Sequence, residues 1–173
     1  MRGKCSMKQS IILPLVLTLL AGCGPGTPAE NQTRRAGTKI DAAAKPASEV
    51  VDAFHKALTT NDTNQALALL ADDVLIYESG GAEASKAEYA SHHLAADMAF
   101  LKNVTQSVFA RSAQANGDTA LVTSQGKTMG TYKDKAIDSA STETMVLRLI
   151  KGQWKIVHIH WSSADNKPKL PTS

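Results

Sequence analysis

The stretch from Trp154 to Ser162 constrains the fold more than any other part of the chain. In a strand, alternate side chains point to opposite faces. Trp154, Ile156, His158, His160 and Ser162 then share one face, and Lys155, Val157, Ile159 and Trp161 share the other. Both faces carry large apolar groups. A sheet with one face in water alternates apolar-in and polar-out instead. Either helices cover one face and a partner subunit the other, or the sheet curls around a cavity.

The elements before it set the class. Ser48 can cap a helix on which Val51, Phe54 and Leu58 recur at helical spacing. Thr63 can cap a short second helix carrying Leu67 and Leu70. Val74 to Tyr77 reads as a brief strand ended by Gly80-Gly81. Ser85 and Glu88 have capping-box spacing and open a third helix reaching about Leu101. Four strands follow: Val104–Ala115, Thr119–Tyr132, Ala140–Ile150 and Trp154–Ser162. Asn116-Gly117-Asp118 is a strong hairpin turn. The order α-α-β-α-β-β-β-β predicts an α+β domain with an antiparallel sheet.

The amino terminus predicts where the domain works. Arg2, Lys4 and Lys8 precede an apolar run from Ile11 to Leu20, the pattern of an export signal. Ten helical residues rise only about 15 Å, half of a ~30 Å hydrocarbon core, so a permanent span is not expected. Leu20-Ala21-Gly22-Cys23 resembles the lipobox of bacterial lipoproteins. That resemblance implies removal of residues 1–22 and lipidation of Cys23, anchoring the protein in the bacterial cell envelope, facing the periplasm or the exterior. The competing reading is an ordinary secretory signal that leaves Cys23 free. Residues 23–46 read as the lipidated cysteine and a flexible tether, 47–165 as one domain, and 166–173 as a disordered tail. A tether of about 23 residues reaches roughly 25 Å.

Processing would remove both cysteines from chemistry, because Cys5 leaves with the signal and Cys23 is modified. Basic residues would fall from 19 to 16 against 16 acidic ones. A neutral chain without a basic cluster excludes nucleic acid as an expected partner. No phosphate-cradling glycine loop and no nucleophile elbow occur in the sequence.

From Ser48 to Asp165 these elements, in this order, resemble the NTF2-like superfamily of SnoaL-like, DUF4440-type domains. Glu143-Thr144 with Val146, then Gly152-Gln153-Trp154-Lys155-Ile156-Val157-His158-Ile159-His160-Trp161-Ser162, is similar to the closing strands of the calcium/calmodulin-dependent kinase II association domain. The resemblance implies a cone: a strongly curved sheet wrapped around amino-terminal helices, with a pocket at the open end. It also implies homodimers packed sheet to sheet. Members include isomerases and dehydratases as well as domains that only bind or assemble, so function must come from the pocket. The association-domain pocket implies arginines on the middle strands that hold a carboxylate. Here Met145 stands where one is expected, the strand 119–131 holds none, and Arg148 faces opposite Glu143 by parity.

The candidate pocket groups are Tyr77 and Glu78 at the end of the first strand, Glu143, and the pair His158 and His160. A desolvated Glu78 or Glu143 can act as a base, and histidine as acid or base. The histidines can equally satisfy structural partners at the pocket wall or the dimer seam. His93 and Asp97, four apart on a helix, face the same way. With His158 and His160 they form a conceivable Zn²⁺ or Cu²⁺ set; otherwise they are a surface pair. No cofactor is otherwise expected. His55, at the edge of the first helix's apolar face, reads as surface. The leading expectation is a lipid-anchored module binding a small ligand, without catalysis. The alternatives are proton-transfer chemistry of the isomerase or dehydratase type, and an envelope metal binder.

Overall fold

The carboxyl-terminal half folds as the turn residues dictate. In the computed structural model, which describes residues 37–166, three two-residue turns join four long strands: β4 (Val104–Asn116), β5 (Thr119–Tyr132), β6 (Lys135–Ile150) and β7 (Gln153–Asp165). Gly117 sits at φ 60°, Lys133 and Asp134 at 48° and 61°, and Lys151 and Gly152 at 50° and 76°. Positive φ gives such turns a twist that matches the flanking strands. β6 starts five residues before the expected Ala140, because Lys133-Asp134 closes a tight turn rather than a loop.

Ahead of these strands lie β1 (Gly37–Ile40), a 3-10 turn (Ala42–Ala44), α1 (Lys45–Thr59), α2 (Thr63–Leu69), β2 (Leu70–Glu78), β3 (Gly81–Glu83), α3 (Lys86–His92) and α4 (Leu94–Leu101). The seven-stranded sheet runs β1-β4-β5-β6-β7-β2-β3. Pairing is antiparallel except at β1–β4 and β2–β7, which are parallel. The class is α+β with a curved, unclosed sheet, as expected.

Several boundaries differ from the sequence reading. The expected tether to Pro46 is ordered from Gly37 on, because β1 pairs with the edge of β4 and the 3-10 turn buries Ala44. Pro46 stands in the first turn of α1, where its missing N–H costs nothing. Ser48 is therefore buried inside α1 rather than capping it. Asp62, not Thr63, caps α2 by accepting from Gln65 N–H. Ser85 does cap α3, and Glu88 reaches back to Ala84 N–H. The expected third helix is two, bent at His93. Asn166, expected in the tail, bonds Asp138. The signal, Cys23 and residues 167–173 lie outside the described residues.

The helices pack into the hollow of the sheet. Val51, Phe54 and Leu58 of α1 are buried against Val122, Met145, Leu147, Ile156 and Ile159. Burying side chains of this size contributes roughly 1.5–3 kcal/mol each.

The last strand is where parity fails. Val146 pairs with His158, but Leu147 pairs with Ile156, so Val157 is left over as a bulge. Such an extra residue shifts the alternation by one. Ile156 and Ile159 are consequently both buried in the hollow, with Trp154 and Trp161 packed against the core from the same side. His158 and His160 turn to the outer face. The apolar groups of the strand thus sort as Trp154, Ile156, Ile159 and Trp161 inward, a set that no strict alternation contains.

Candidate functional site

The hollow is not filled to its mouth. A cavity of about 380 Å³ lies over the middle strands, walled by α1 and the end of α4. Its floor is one lateral row of the sheet: Arg111 pairs with Ser124, Ser124 with Glu143, Glu143 with Trp161, and Trp161 with Glu78. Five strands therefore place five polar or amphipathic side chains side by side. All five line the cavity. At ~4.8 Å per strand the row spans about 19 Å.

Helix α1 is tied across this row at two points. Asp52 pairs with the Arg111 guanidinium, whose Nε donates to Ser124 Oγ at 3.1 Å. One helical turn later His55 Nε2 lies 2.8 Å from Glu143 Oε2. Trp161 Nε1 donates to the same oxygen at 2.8 Å. The Glu143 side chain is 9% exposed, and its Oε1 is buried without a partner. Burial by itself pushes the Glu143 carboxyl up, but the bond and charge of His55, the Trp161 bond and the charge of Arg111 outweigh it. The group is held below the usual carboxylate range.

The other end of the row behaves oppositely. Burial first, then the neighbouring Asp97 charge, push Glu78 up, against a smaller pull from His93. Asp97 accepts from Tyr89 Oη at 2.8 Å. Burial raises its carboxyl despite that bond and the nearby His93. Burial and the same Asp97 push the Tyr89 phenol far up. Glu83, buried, pairs with His93. Glu78, Asp97 and Trp161 also line a second hollow beside the first, with Glu83, Tyr89 and His93. Two carboxyls pushed up and one held down within reach of one cavity is an arrangement suited to binding a polar group or to moving a proton.

Of the residues expected from sequence, Glu78 and Glu143 are in the cavity. His158 and His160 are not. His158 Nδ1 donates to Leu75 O at 2.8 Å, and both rings meet Tyr77 edge-to-face at 5.3 and 6.3 Å on the outer face. Tyr77 is 42% exposed there. The expected placement of both histidines and Tyr77 in the pocket is corrected: the Val157 bulge turns the histidines outward, and Tyr77 faces out because its strand neighbour Glu78 faces in. The expected metal set of His93, Asp97, His158 and His160 is not assembled either. His93 turns to Glu83 and Asp97 to Tyr89, while the other two lie across the sheet; among the described residues no cluster of three metal-ligating side chains occurs.

Sequence reasoning missed His55, Asp52, Arg111, Tyr89 and Trp161. His55 is no surface residue; it closes on Glu143. Arg111 supplies the cation that the middle strand lacks, from β4, and its inward direction depends on a bulge at Phe109. The signal available was the i, i+3 spacing of Asp52 and His55 on α1, which matches two sites on a sheet crossed by that helix.

A family profile described as the SnoaL-like domain matches residues 47–166. A structure named as a candidate ketosteroid isomerase from Shewanella frigidimarina NCIMB 400 is 43% identical, with a TM-score of 0.68, covering 73% of this chain and all of its own. A Xanthomonas campestris structure, named as a candidate calcium/calmodulin-dependent kinase II association domain, is 21% identical. Its TM-score is 0.60, over 73% of this chain and 91% of its own. A candidate NTF2-like dehydratase from Streptomyces avermitilis is 19% identical with a TM-score of 0.58, over 70% and 96%. The last two are similar in fold alone. No curated protein matches the chain.

Proposed function

The chain belongs to the SnoaL-like family, and on that premise we propose that it captures a small ligand in the cavity of its cone, held at the cell envelope by a lipid on Cys23. The observation that carries the binding reading is the lateral row. Arg111, Ser124, Glu143, Trp161 and Glu78 converge on a space of about 380 Å³, the size of a small-molecule site. The test is a thermal-shift and calorimetric screen of a broad metabolite set. At least one compound is expected to stabilise the wild type and to lose that effect in Arg111→Ala or Glu143→Gln. A full screen without a stabilised species would sink the reading.

The envelope part rests on the signal and lipobox pattern of residues 1–23. Replacing Cys23 with Ser is expected to move the protein from the membrane fraction to the soluble fraction and to abolish incorporation of labelled fatty acid. Unchanged fractionation would remove the anchor.

A second reading, proton transfer on a carbonyl compound, is favoured by one observation. Glu78 and Asp97 are pushed up while Glu143 is held down at the same cavity. Such a divergence supplies an acid and a base together. The similar Shewanella protein's name points the same way. Deuterium uptake by carbonyl compounds in heavy water, lost in Glu78→Gln, is the expected sign. No uptake across a varied set ends this reading.

A further inference from the structure

We propose that His55 is the proton-accepting residue of the cavity, oriented from behind by Glu143, and that it takes a proton from the carbon beside the carbonyl group of a ketone. This rests on the proton-transfer reading and names the base that reading needs. Glu143 is ill placed to be that base itself. Its Oε1 is buried out of reach, and its Oε2 already accepts from His55 and Trp161. A carboxyl held below its ordinary range is also a weak base.

His55 has what Glu143 lacks. It lines the cavity, with its side chain 26% exposed. The ionised Glu143 carboxylate can only accept, so His55 Nε2, 2.8 Å away, carries the hydrogen. In the neutral ring the lone pair is then on Nδ1. Among the described residues that atom has no hydrogen-bond partner, and it is not sealed from solvent. A carboxylate behind one ring nitrogen fixes the tautomer and the ring. It also stabilises the imidazolium formed when the other nitrogen takes a proton. The Asp52–Arg111 pair, one helical turn earlier, holds α1 in place above the row.

The acid stands across the row. Of the other carboxyls on the wall, Asp52 pairs with Arg111 and Asp97 accepts from Tyr89. Glu78 is left, and burial first, then the charge of Asp97, push it toward its protonated form. Glu143, Trp161 and Glu78 are neighbours in register, so Glu78 lies two strands, ~10 Å, from Glu143. A ketone lying across Trp161 turns its oxygen to Glu78 and its α carbon to His55. The C–H bond breaks and the proton goes to Nδ1. The electron pair left behind forms the carbon–carbon double bond of an enol, and the carbonyl π pair moves onto oxygen, which takes the proton of Glu78. In heavy water the imidazolium exchanges its proton for a deuteron and returns it to carbon, while the enol hydroxyl reprotonates Glu78.

The test follows deuterium uptake by cyclohexanone and 1-tetralone in heavy water, as initial rates over a range of ketone concentrations with the full chain. His55→Ala is expected to lower kcat at least about a hundredfold. Added imidazole is expected to restore part of that rate and to leave the wild type unchanged. Glu143→Gln is expected to lower kcat at least about tenfold with KM within about twofold, the pattern of a positioning residue. His160→Ala, on the outer face, is expected to exchange as the wild type does. If His55→Ala fails to fold, His55→Gln replaces it, since its amide can donate to Glu143 but cannot accept a proton from carbon. Uptake within about twofold of wild type in the His55 variant, or a loss in His55→Ala that imidazole leaves untouched, overturns the inference and leaves proton transfer standing on other groups. Where the wild type exchanges neither ketone, the comparison is made on whichever compound of the wider carbonyl set it does exchange. A wild type that exchanges none ends the proton-transfer reading and this inference together.

Discussion

Glu143 shows how one side chain can carry two jobs. Its Oε2 holds α1 and β7 together through His55 and Trp161, and the same side chain lines the cavity. Glu143→Ala strands both donors in a buried place, at about 1–3 kcal/mol for each donor that water cannot reach. Glu143→Gln keeps an acceptor for them and is expected to cost less; chemical denaturation compares the two. The raised carboxyls give a pH dependence of known sign. Folded Asp97 and Glu78 keep protons that the unfolded chain releases, so stability falls as pH climbs from their ordinary values, 3.8 and 4.5, toward their raised folded values. Glu143 runs the other way, its contribution present above 4.5 and lost as acid passes its lowered folded value. The groups facing Asp97 and Glu78 are Tyr89, His93 and each other. In the double variant Asp97→Asn, Glu78→Gln the decline above pH 4.5 is expected to flatten; an unchanged decline assigns it elsewhere. Glu143 was legible as a pocket residue because it shares a strand face with Met145 and Leu147, and Glu78 because it ends the first strand; alternation lets only one of Tyr77 and Glu78 face inward. His55 was not, since its role depends on which sheet row α1 happens to cross.

At the scale of elements, one extra residue decides the chemistry of both faces. Had β7 alternated regularly, His158 and His160 would share the face of Trp154 and Ile156, as the bare sequence implies. The bulge at Val157 lets the strand bury Ile156 and Ile159 together and expels the histidines. A bulge has no reliable mark in a single strand, because it is a property of the pairing with β6. Removing the His158 and His160 rings, as His158→Ala and His160→Ala, is therefore expected to leave cavity binding unchanged, whereas His55→Ala alters it; calorimetry with any stabilising ligand separates them. The first strand was illegible for a different reason. Gly37 to Ile40 is exposed along its length and carries no apolar pattern, and only its pairing with Ala110 to Ala113 makes it a strand. It covers the edge of β4, which would otherwise offer free N–H and C=O groups. A chain begun at Ala47 instead of Arg34 loses this cover and the buried Ala44. Its melting temperature is expected to fall by at least about 4 °C, with more aggregation, and equal melting would show β1 to be dispensable. Gly126 marks a close approach of β5 to β4. A Cβ there would meet Ser107 O at 2.8 Å, so Gly126→Ala is expected to destabilise by about 1–3 kcal/mol.

For the molecule as a whole, the sheet works as a board with two printed sides. The inner side carries the row from Arg111 to Glu78. The outer side carries two rows of its own: Leu121, Val146, His158 and Leu75, and beside it Thr123, Thr144, His160 and Tyr77. Leu121 is 43% exposed and Tyr77 42%, in a region where apolar and aromatic groups lie side by side. That is the surface two copies would share in a sheet-to-sheet homodimer, the partner expected from the resemblance. An isologous contact uses the same patch on both copies, so a single substitution there puts a charge into the interface twice, once from each subunit. Leu121→Glu is thus expected to convert a dimer into a monomer in analytical ultracentrifugation, and Tyr77→Glu to weaken it. Because the substituted side chains point away from the cavity, ligand affinity per subunit is expected to stay within about twofold of wild type, a change of roughly 0.4 kcal/mol. A Leu121→Glu protein that sediments as the wild type does would rule out this face. One that dissociates and also loses its ligand would show that the cone holds its shape only when the outer face is covered.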